Sequence, residues 1–347
     1  MRLKKTAALL LAGLFATLSM TGCVGNLYAD VAKVDDTDIS SGLYLAIQYD
    51  AYNRAKSFLE DSDKDVLKQK VEGQNASAWI RSETEKTMRE YVCVRRLCRE
   101  KGITLDETGS QRVQEMGQYW TYLEQIYKEN GIAFVSLERF LTMTELKRQL
   151  MLNLYDEGGD LYVPDEQLKT EYAEAYAHIR SVSVPLNSLQ DGVDVRDEVL
   201  AKMDGLLQKL NDGATLESVA EKNLPEVYEI LGRDFDPETA ADSIYDSYLD
   251  YTPDDFETYS EDFLYRLKQQ KVGEYGYYNM GSIVILYEVI PTFETDSDFQ
   301  ARRDTVIQSL KTDEYDAYLK NLYDQYSVSW RLGARSYFSP GKIVSGY

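Results

Sequence analysis

The sequence predicts an α+β protein in which two helical regions, one toward each end of the chain, flank a compact unit of mixed strands and helices. Three observations carry that expectation. Apolar residues repeat at helical spacing over most of residues 41–175. At His178-Ile179-Arg180-Ser181-Val182-Ser183-Val184-Pro185 the pattern changes to the alternation of a strand. Beyond Pro291 the helical period returns. A long amphipathic helix needs a partner for its apolar face, so the economical arrangement packs the two helical regions together around an insertion.

The chain opens with Arg2, Lys4 and Lys5, and then runs through almost wholly apolar or small residues from Thr6 to Met20. A positive start and a short apolar run make a bacterial export signal. The run falls short of the roughly 20 apolar residues that span a membrane. It ends in Met20-Thr21-Gly22-Cys23, which resembles the lipobox of bacterial lipoproteins, although Met20 stands where Leu is usual. That resemblance implies removal of residues 1–22, acylation of Cys23, and a chain tethered to the outer face of a membrane. An ordinary secretory signal cut nearby would leave Cys23 without a role. A single acyl chain holds a membrane only marginally, so several chains on that Cys matter for stable anchoring.

After a short polar tether from Val24 to Asp30, Val31-Ala32-Lys33-Val34 and Ile39-Ser40 flank an acidic turn and read as a hairpin. Ser40 or Ser41 can cap a helix that places Leu43, Ile47, Ala51, Ala55, Phe58 and Leu59 on one buried face. A second helix runs from about Ser82 to Lys101 and stops at Gly102, with Ile103 placed to fold back on its last turn. Thr104-Leu105-Asp106-Glu107 has capping-box spacing and restarts a helix that ends at Gly131. Ser136 opens another, which Gly158-Gly159 closes, and Asp165 to about Ala175 forms a further helix after Pro164.

Within the inserted unit, the strand at 178–185 leads to a helix at 193–210 and a short helix starting at Thr215. Residues 227–231 read as a strand, and 234–255 as a long acidic, tyrosine-bearing segment of undetermined form. A helix near 256–270 and strands at 275–280 and 282–290 complete the unit. One long helix then carries Phe299, Val306, Leu310, Tyr315, Tyr318, Leu322, Tyr323 and Tyr326, and Val328-Ser329-Trp330 can close it with a strand. The expected divisions are 1–22, 23–175, 176–291, 292–330 and a tail at 331–347.

Composition narrows the function. The 347 residues carry a formal charge of −21, about −24 without Arg2, Lys4 and Lys5. Such an acidic body should be repelled by nucleic acid and by anionic lipid surfaces, leaving proteins or cations as partners. The same charge also serves plain solubility. Only Cys93 and Cys98 follow Cys23, and they stand roughly 140° apart around one helix, poorly placed to pair. They read as buried small hydrophobes. The single histidine, His178, stands in no Cys/His cluster of ligand spacing, so neither a metal site nor a cofactor is expected. Asn75-Ala76-Ser77 matches a glycosylation acceptor by chance beside a bacterial export signal.

In order along the chain, the lipobox, Val31-Ala32-Lys33-Val34 with Ile39-Ser40, Lys101-Gly102-Ile103-Thr104, Val163-Pro164-Asp165-Glu166 and His178-Ile179 resemble the PrsA- and SurA-type extracytoplasmic foldases. The resemblance implies a helical chaperone module made from both chain ends, with a parvulin-type peptidyl-prolyl isomerase domain between them. It also exposes departures. Family hairpins turn through an Asn-Gly-like pair, where this chain has Asp35-Asp36-Thr37. Active parvulins place one histidine on the first strand and one on the last. His178 matches the first, while the corresponding last-strand region, Gly281-Ser282-Ile283-Val284, supplies none. The Gly-rich second-strand signature is reduced to Leu231-Gly232-Arg233.

The reading that results is a membrane-anchored, extracytoplasmic foldase or holdase for unfolded or partly folded exported polypeptides, with isomerase activity lost or weak. The alternative is an active parvulin-type isomerase using His178. A third reading, a solute-binding lipoprotein, lacks the alternating strand–helix repeats of that class. Isomerisation breaks no bond; it lowers a torsional barrier of about 18–20 kcal/mol by seating the proline in an apolar pocket beside placed polar groups. Without a partner, His178 reads equally as a strand histidine satisfied by hydrogen bonds. The 28 tyrosines suit a surface for unfolded segments, each with an apolar face and a polar tip. Tyr245, Tyr248, Tyr251 and Tyr259 either meet clients or pack the acidic segment down.

Overall fold

The computed structural model describes residues 29–59, 65–186, 189–190, 193–236, 242–251 and 259–345. Cys23 and the export signal expected over residues 1–22 lie outside the described residues, as do 237–241 and 252–255 of the acidic segment and 256–258 of the helix expected after it. The chain is α+β and divides into two units. The first comprises the chain up to Tyr162 together with Lys311 onward, and the second spans Val163–Leu310.

The elements follow in chain order. The first unit begins with β1 (Asp30–Val34), β2 (Thr37–Ser40), α1 (Ser41–Ser57), β3 (Lys70–Val71), β4 (Gln74–Asn75), α2 (Ala76–Lys101), α3 (Glu107–Gln118), α4 (Trp120–Glu129) and α5 (Phe134–Tyr155). The second holds α6 (Asp165–Ala175), β5 (Tyr176–Pro185), β6 (Leu189–Gln190), β7 (Val193–Asp194), α7 (Arg196–Asn211), α8 (Leu216–Ile230), β8 (Ile244–Asp250), α9 (Glu261–Gln269), β9 (Tyr275–Asn279) and β10 (Ile283–Ile290). Helix α10 (Asp296–Tyr323) carries the chain back, and β11 (Val328–Trp330) and α11 (Ala334–Tyr337) end the first unit.

In the first unit, β1 pairs on one side with β2 and on the other with β11, setting Ala32 opposite Trp330 and Val34 opposite Val328. The acidic turn is held by specific partners. Asp35 adopts a left-handed φ of 49°, a conformation its short polar side chain tolerates. Its carboxylate accepts from the Ser327 N–H at 2.9 Å, and Arg96 reaches Asp36 at 2.9 Å. The Ser40 hydroxyl caps α1, as its position before the first turn predicts. Gly102 ends α2 in the left-handed region, and the Ile103 N–H returns to the Cys98 carbonyl at 2.7 Å. Cys93 and Cys98 are free thiols buried in α2, and burial pushes the Cys98 thiol up to about 11.

Helix α1 is buried nearly all round. Leu43, Ile47, Ala51 and Ala55 are covered, and so are Tyr44, Ala46, Gln48, Tyr49 and Tyr52 from its other flanks. Phe58, predicted for the buried face, is instead exposed and meets the Trp79 ring edge-on. The buried Gln48 is satisfied, donating to the Tyr44 hydroxyl at 2.8 Å and to the Phe338 carbonyl at 2.9 Å. Tyr315 of α10 donates to the Lys147 carbonyl at 2.8 Å. The region 107–130, read as one helix, is broken at Tyr119, two residues past Gly117, where helix propensity is low. Gly42 lets α1 come close to α5, where an added Cβ would press on the Ser136 hydroxyl.

The second unit is a four-stranded antiparallel sheet of order β8-β5-β10-β9 with helices on both faces. On one face Val182, Val184, Val284 and Leu286 pack against α7 and α8. On the other, Ala177, Ile179, Ile285 and Val289 pack against Phe263, Leu264 and Leu267 of α9. Residues 227–231, read as a strand, are the end of α8 and its cap. The helix runs through Pro225 and buries Leu216, Val219, Ala220, Leu224 and Val227 at helical spacing. Leu231-Gly232-Arg233 therefore closes a helix, and the second strand is β8, from within the acidic segment.

Candidate functional site

His178 lies on the central strand β5, directly opposite Tyr248 of β8 and Ile290 of β10. Opposed residues share a face, so the His178 face also carries Arg180, Asp246 and Glu288. Register corrects the expected place of a second histidine. Ile283 pairs with Pro185, seven residues from His178 along β5, about 23 Å away at strand rise. A last-strand partner for His178 has to come from Ile290, or from Glu288 on the diagonal.

The imidazole is enclosed, with 8% of its surface exposed. Its Nδ1–H donates to the Pro291 carbonyl at 2.8 Å. That bond fixes the tautomer and leaves Nε2 a bare lone pair, buried without a hydrogen-bond donor. The nearest charge to Nε2 is the Asp246 carboxylate at 3.9 Å. Burial holds the imidazole below its ordinary value; the Pro291 bond and Asp246 oppose that shift, and Arg302 and Arg180 add to it. His178 is therefore neutral at pH 7.

An aromatic wall closes the ring. Tyr248 stacks on His178 with centroids 4.0 Å apart, and the Arg302 guanidinium stands 3.6 Å from the Tyr248 centroid. Two groups that close cannot share one ring face, so Tyr248 is sandwiched between them. The Tyr248 hydroxyl donates to the Thr292 carbonyl at 2.9 Å. Tyr172, Phe293 and Phe299 continue the wall through successive ring contacts of 5.8, 5.7 and 5.2 Å. Beside it, Arg180 gathers Asp246 at 3.2 Å, Glu217 at 3.7 Å and Glu294 at 3.8 Å. Burial raises the Glu288 carboxyl, against the pull of Arg180.

The four tyrosines of the acidic region divide. Tyr248 belongs to the sandwich, Tyr251 lies under the Lys268 ammonium at 5.0 Å, and Tyr259 meets Phe263 and Tyr278. Tyr245 remains exposed. Among the described residues no group of His, Cys, Asp or Glu is arranged to hold a metal ion, and no helix is long and apolar enough to cross a membrane. Sequence reasoning missed Arg180, Glu288 and Arg302; only the polar slots in the strand alternation marked the first two.

The first unit offers a different kind of surface. Helix α4 has no fully buried side chain. Trp120 and Ile126 pack partly inward, while Tyr119, Tyr122 (83% exposed), Leu123, and Phe134 and Val135 at the start of α5, face solvent. Val135 also lines a cleft of 760 Å³ with Leu43, Tyr91, Arg95, Met143 and Leu146.

No family model and no curated protein matches the sequence. Among solved structures, the chain is similar to the foldase protein PrsA of Streptococcus pneumoniae str. Canada MDR_19A, with 12% identity over 85% of this chain and 91% of that one and a TM-score of 0.38. It is similar to PrsA of Bacillus subtilis, with 11% identity over 72% and 86% and a TM-score of 0.29. The foldase protein PrsA of Lactococcus lactis matches with 14% identity over 89% and 99% and a TM-score of 0.33. All three neighbours are PrsA foldase structures, from three different bacteria.

Proposed function

We propose that this chain is a lipid-anchored extracytoplasmic foldase of the PrsA type that acts mainly as a holdase: Cys23 carries the anchor, and the exposed aromatic surface of α4 and α5 takes up unfolded segments of exported polypeptides. The observation that carries this reading is that surface. Contiguous exposed apolar side chains on a soluble body mark an interaction site, and tyrosines supply apolar contact with little conformational entropy to lose. The aligned sequence features from the hairpin to His178 support the same assignment. His178 fits a weak or absent isomerase, because Tyr248 stacks on its ring and the imidazole is enclosed.

Suppression of aggregation of a reduced, unfolded client is the direct test. The reading predicts slower aggregation at stoichiometric amounts of the chain, and an unchanged time course refutes it. A specific feature favours a residual isomerase: the Nε2 lone pair of His178 is buried and unpartnered. A proline-peptide isomerisation assay beside His178→Ala settles that alternative, since acceleration abolished by the substitution establishes it.

A further inference from the structure

Against the overall charge of −21, one groove of the first unit is basic. Ala78, Arg81, Ser82, Glu85 and Arg89 form a single stripe of α2, spaced so that all share one face. With Arg335 of α11 they line a groove of 360 Å³. Three guanidiniums meet one carboxylate. Glu85 pairs with Arg89 at 2.7 Å and with Arg335 at 3.6 Å, and Arg89 also donates to the Tyr326 carbonyl at 3.1 Å. Among the described residues Arg81 has no ion pair within 4 Å. The groove thus keeps an uncompensated double positive charge, with planar donors suited to phosphate oxygens.

Its place in the fold identifies the occupant. The Arg335 guanidinium lies 5.4 Å from the Trp330 ring, and Trp330 is the residue paired with Ala32 of β1. The groove is therefore next to the strand where the described chain begins. Only five residues lie between Cys23 and Ala29, six Cα steps with a covalent reach of at most about 22 Å. Residues 331–347 carry three basic side chains and no acidic one. Leu332, at the turn three residues before Arg335, is 96% exposed. We propose that the groove of Arg81, Arg89 and Arg335 binds the phosphate of an anionic lipid headgroup in the membrane to which Cys23 ties the chain, with Leu332 entering the interface beside it. The site rests on the anchoring reading. Tethering supplies a high local concentration of headgroups, so a weak intrinsic affinity suffices to orient the first unit on the lipid.

The test uses the mature chain from residue 23 with Cys23→Ser, so that no acyl chain contributes. Flotation with mixed phosphatidylglycerol–phosphatidylcholine vesicles should exceed flotation with pure phosphatidylcholine vesicles and fade with added salt. Arg81→Gln and Arg335→Gln should each weaken it about fivefold, roughly 25-fold together. Arg335→Lys should keep most of the binding, and circular dichroism melts of each variant establish that it is folded. Equal binding to both vesicles, or folded double variants that bind like the parent, overturns the proposal. Titration with inorganic phosphate and glycerol phosphate separates the sources: free anions held as tightly as vesicles assign the groove to soluble phosphate and overturn the membrane assignment. Mass spectrometry of the chain extracted from bacterial membranes tests acylation separately. Acylated Cys23 with no vesicle binding refutes the groove alone, and vesicle binding with unmodified Cys23 upholds the groove and refutes the anchor.

Discussion

The two units solve the problem of a core in opposite ways. The second is one uninterrupted stretch, Val163–Leu310, whose sheet buries Val, Leu and Ile on both faces against helices close in sequence. The first is closed from its far end: β11 completes the β1 sheet, and the Phe338 carbonyl receives the Tyr44 hydroxyl across 294 residues. Its centre is polar-aromatic, with Tyr44, Gln48 and Phe338 sharing hydrogen bonds and rings. Local apolar packing makes the second unit self-sufficient, whereas the first depends on the chain from Val328 onward. Phe338→Ala tests that contrast most sharply. It should cost about 3–5 kcal/mol, read as lost hydrogen-exchange protection in β1 and α1, while β5 and β10 stay protected. The mirror experiment is Met203→Ala on the fully buried face of α7, which should cost about 2–5 kcal/mol and strip protection from the sheet of the second unit alone. Equal loss in both units from either substitution would erase the distinction.

This contrast also explains what the sequence disclosed. Strand β5, the caps at Ser40 and Gly102, and helix α6 were legible because each rests on local chemistry: alternation, a hydroxyl before a first turn, a glycine after a last one. The strand read at 227–231 is instead the end of α8, which continues through Pro225 with Leu224 and Val227 buried. Closure by Phe338 was not legible, since nothing in residues 331–347 shows that their partners lie almost 300 positions away. The site behaved similarly. His178 announces itself as the only histidine, but the Tyr248–Arg302 sandwich and the diagonal Glu288 exist only through sheet register and the return of α10.

The sandwich yields a smaller effect. Arg302→Met removes the guanidinium over Tyr248 and should cost about 0.5–2 kcal/mol. It also removes a positive charge that lowers the His178 imidazole. Because the folded imidazole sits below its ordinary value of 6.5, the unfolded chain takes up its proton first on acidification. The His178 contribution is therefore intact above pH 6.5 and is lost as pH falls from there through the folded value. NMR titration of the imidazole should show the variant titrating at higher pH than the parent. A narrower acid-induced loss of stability should accompany it. Identical titration curves would mean that Arg302 does not act on the imidazole.

The smallest effect on stability decides the functional contrast between the units. Tyr122→Ser together with Leu123→Ser changes two side chains that α4 leaves in solvent, so the unfolding free energy should move by no more than about 0.5 kcal/mol for each. If the surface of α4 and α5 holds clients, the same pair should reduce suppression of client aggregation severalfold. Tyr245→Ser, at an exposed tyrosine on β8 of the second unit, should leave it unchanged. The asymmetry follows from packing. An apolar side chain contributes to folding only when the fold removes it from water, so exposed ones are cheap to replace in the free chain and expensive only when a partner would have covered them. Lost holding with unchanged stability places the client on the first unit; the reverse pattern, with Tyr245→Ser the damaging change, moves it to the sheet.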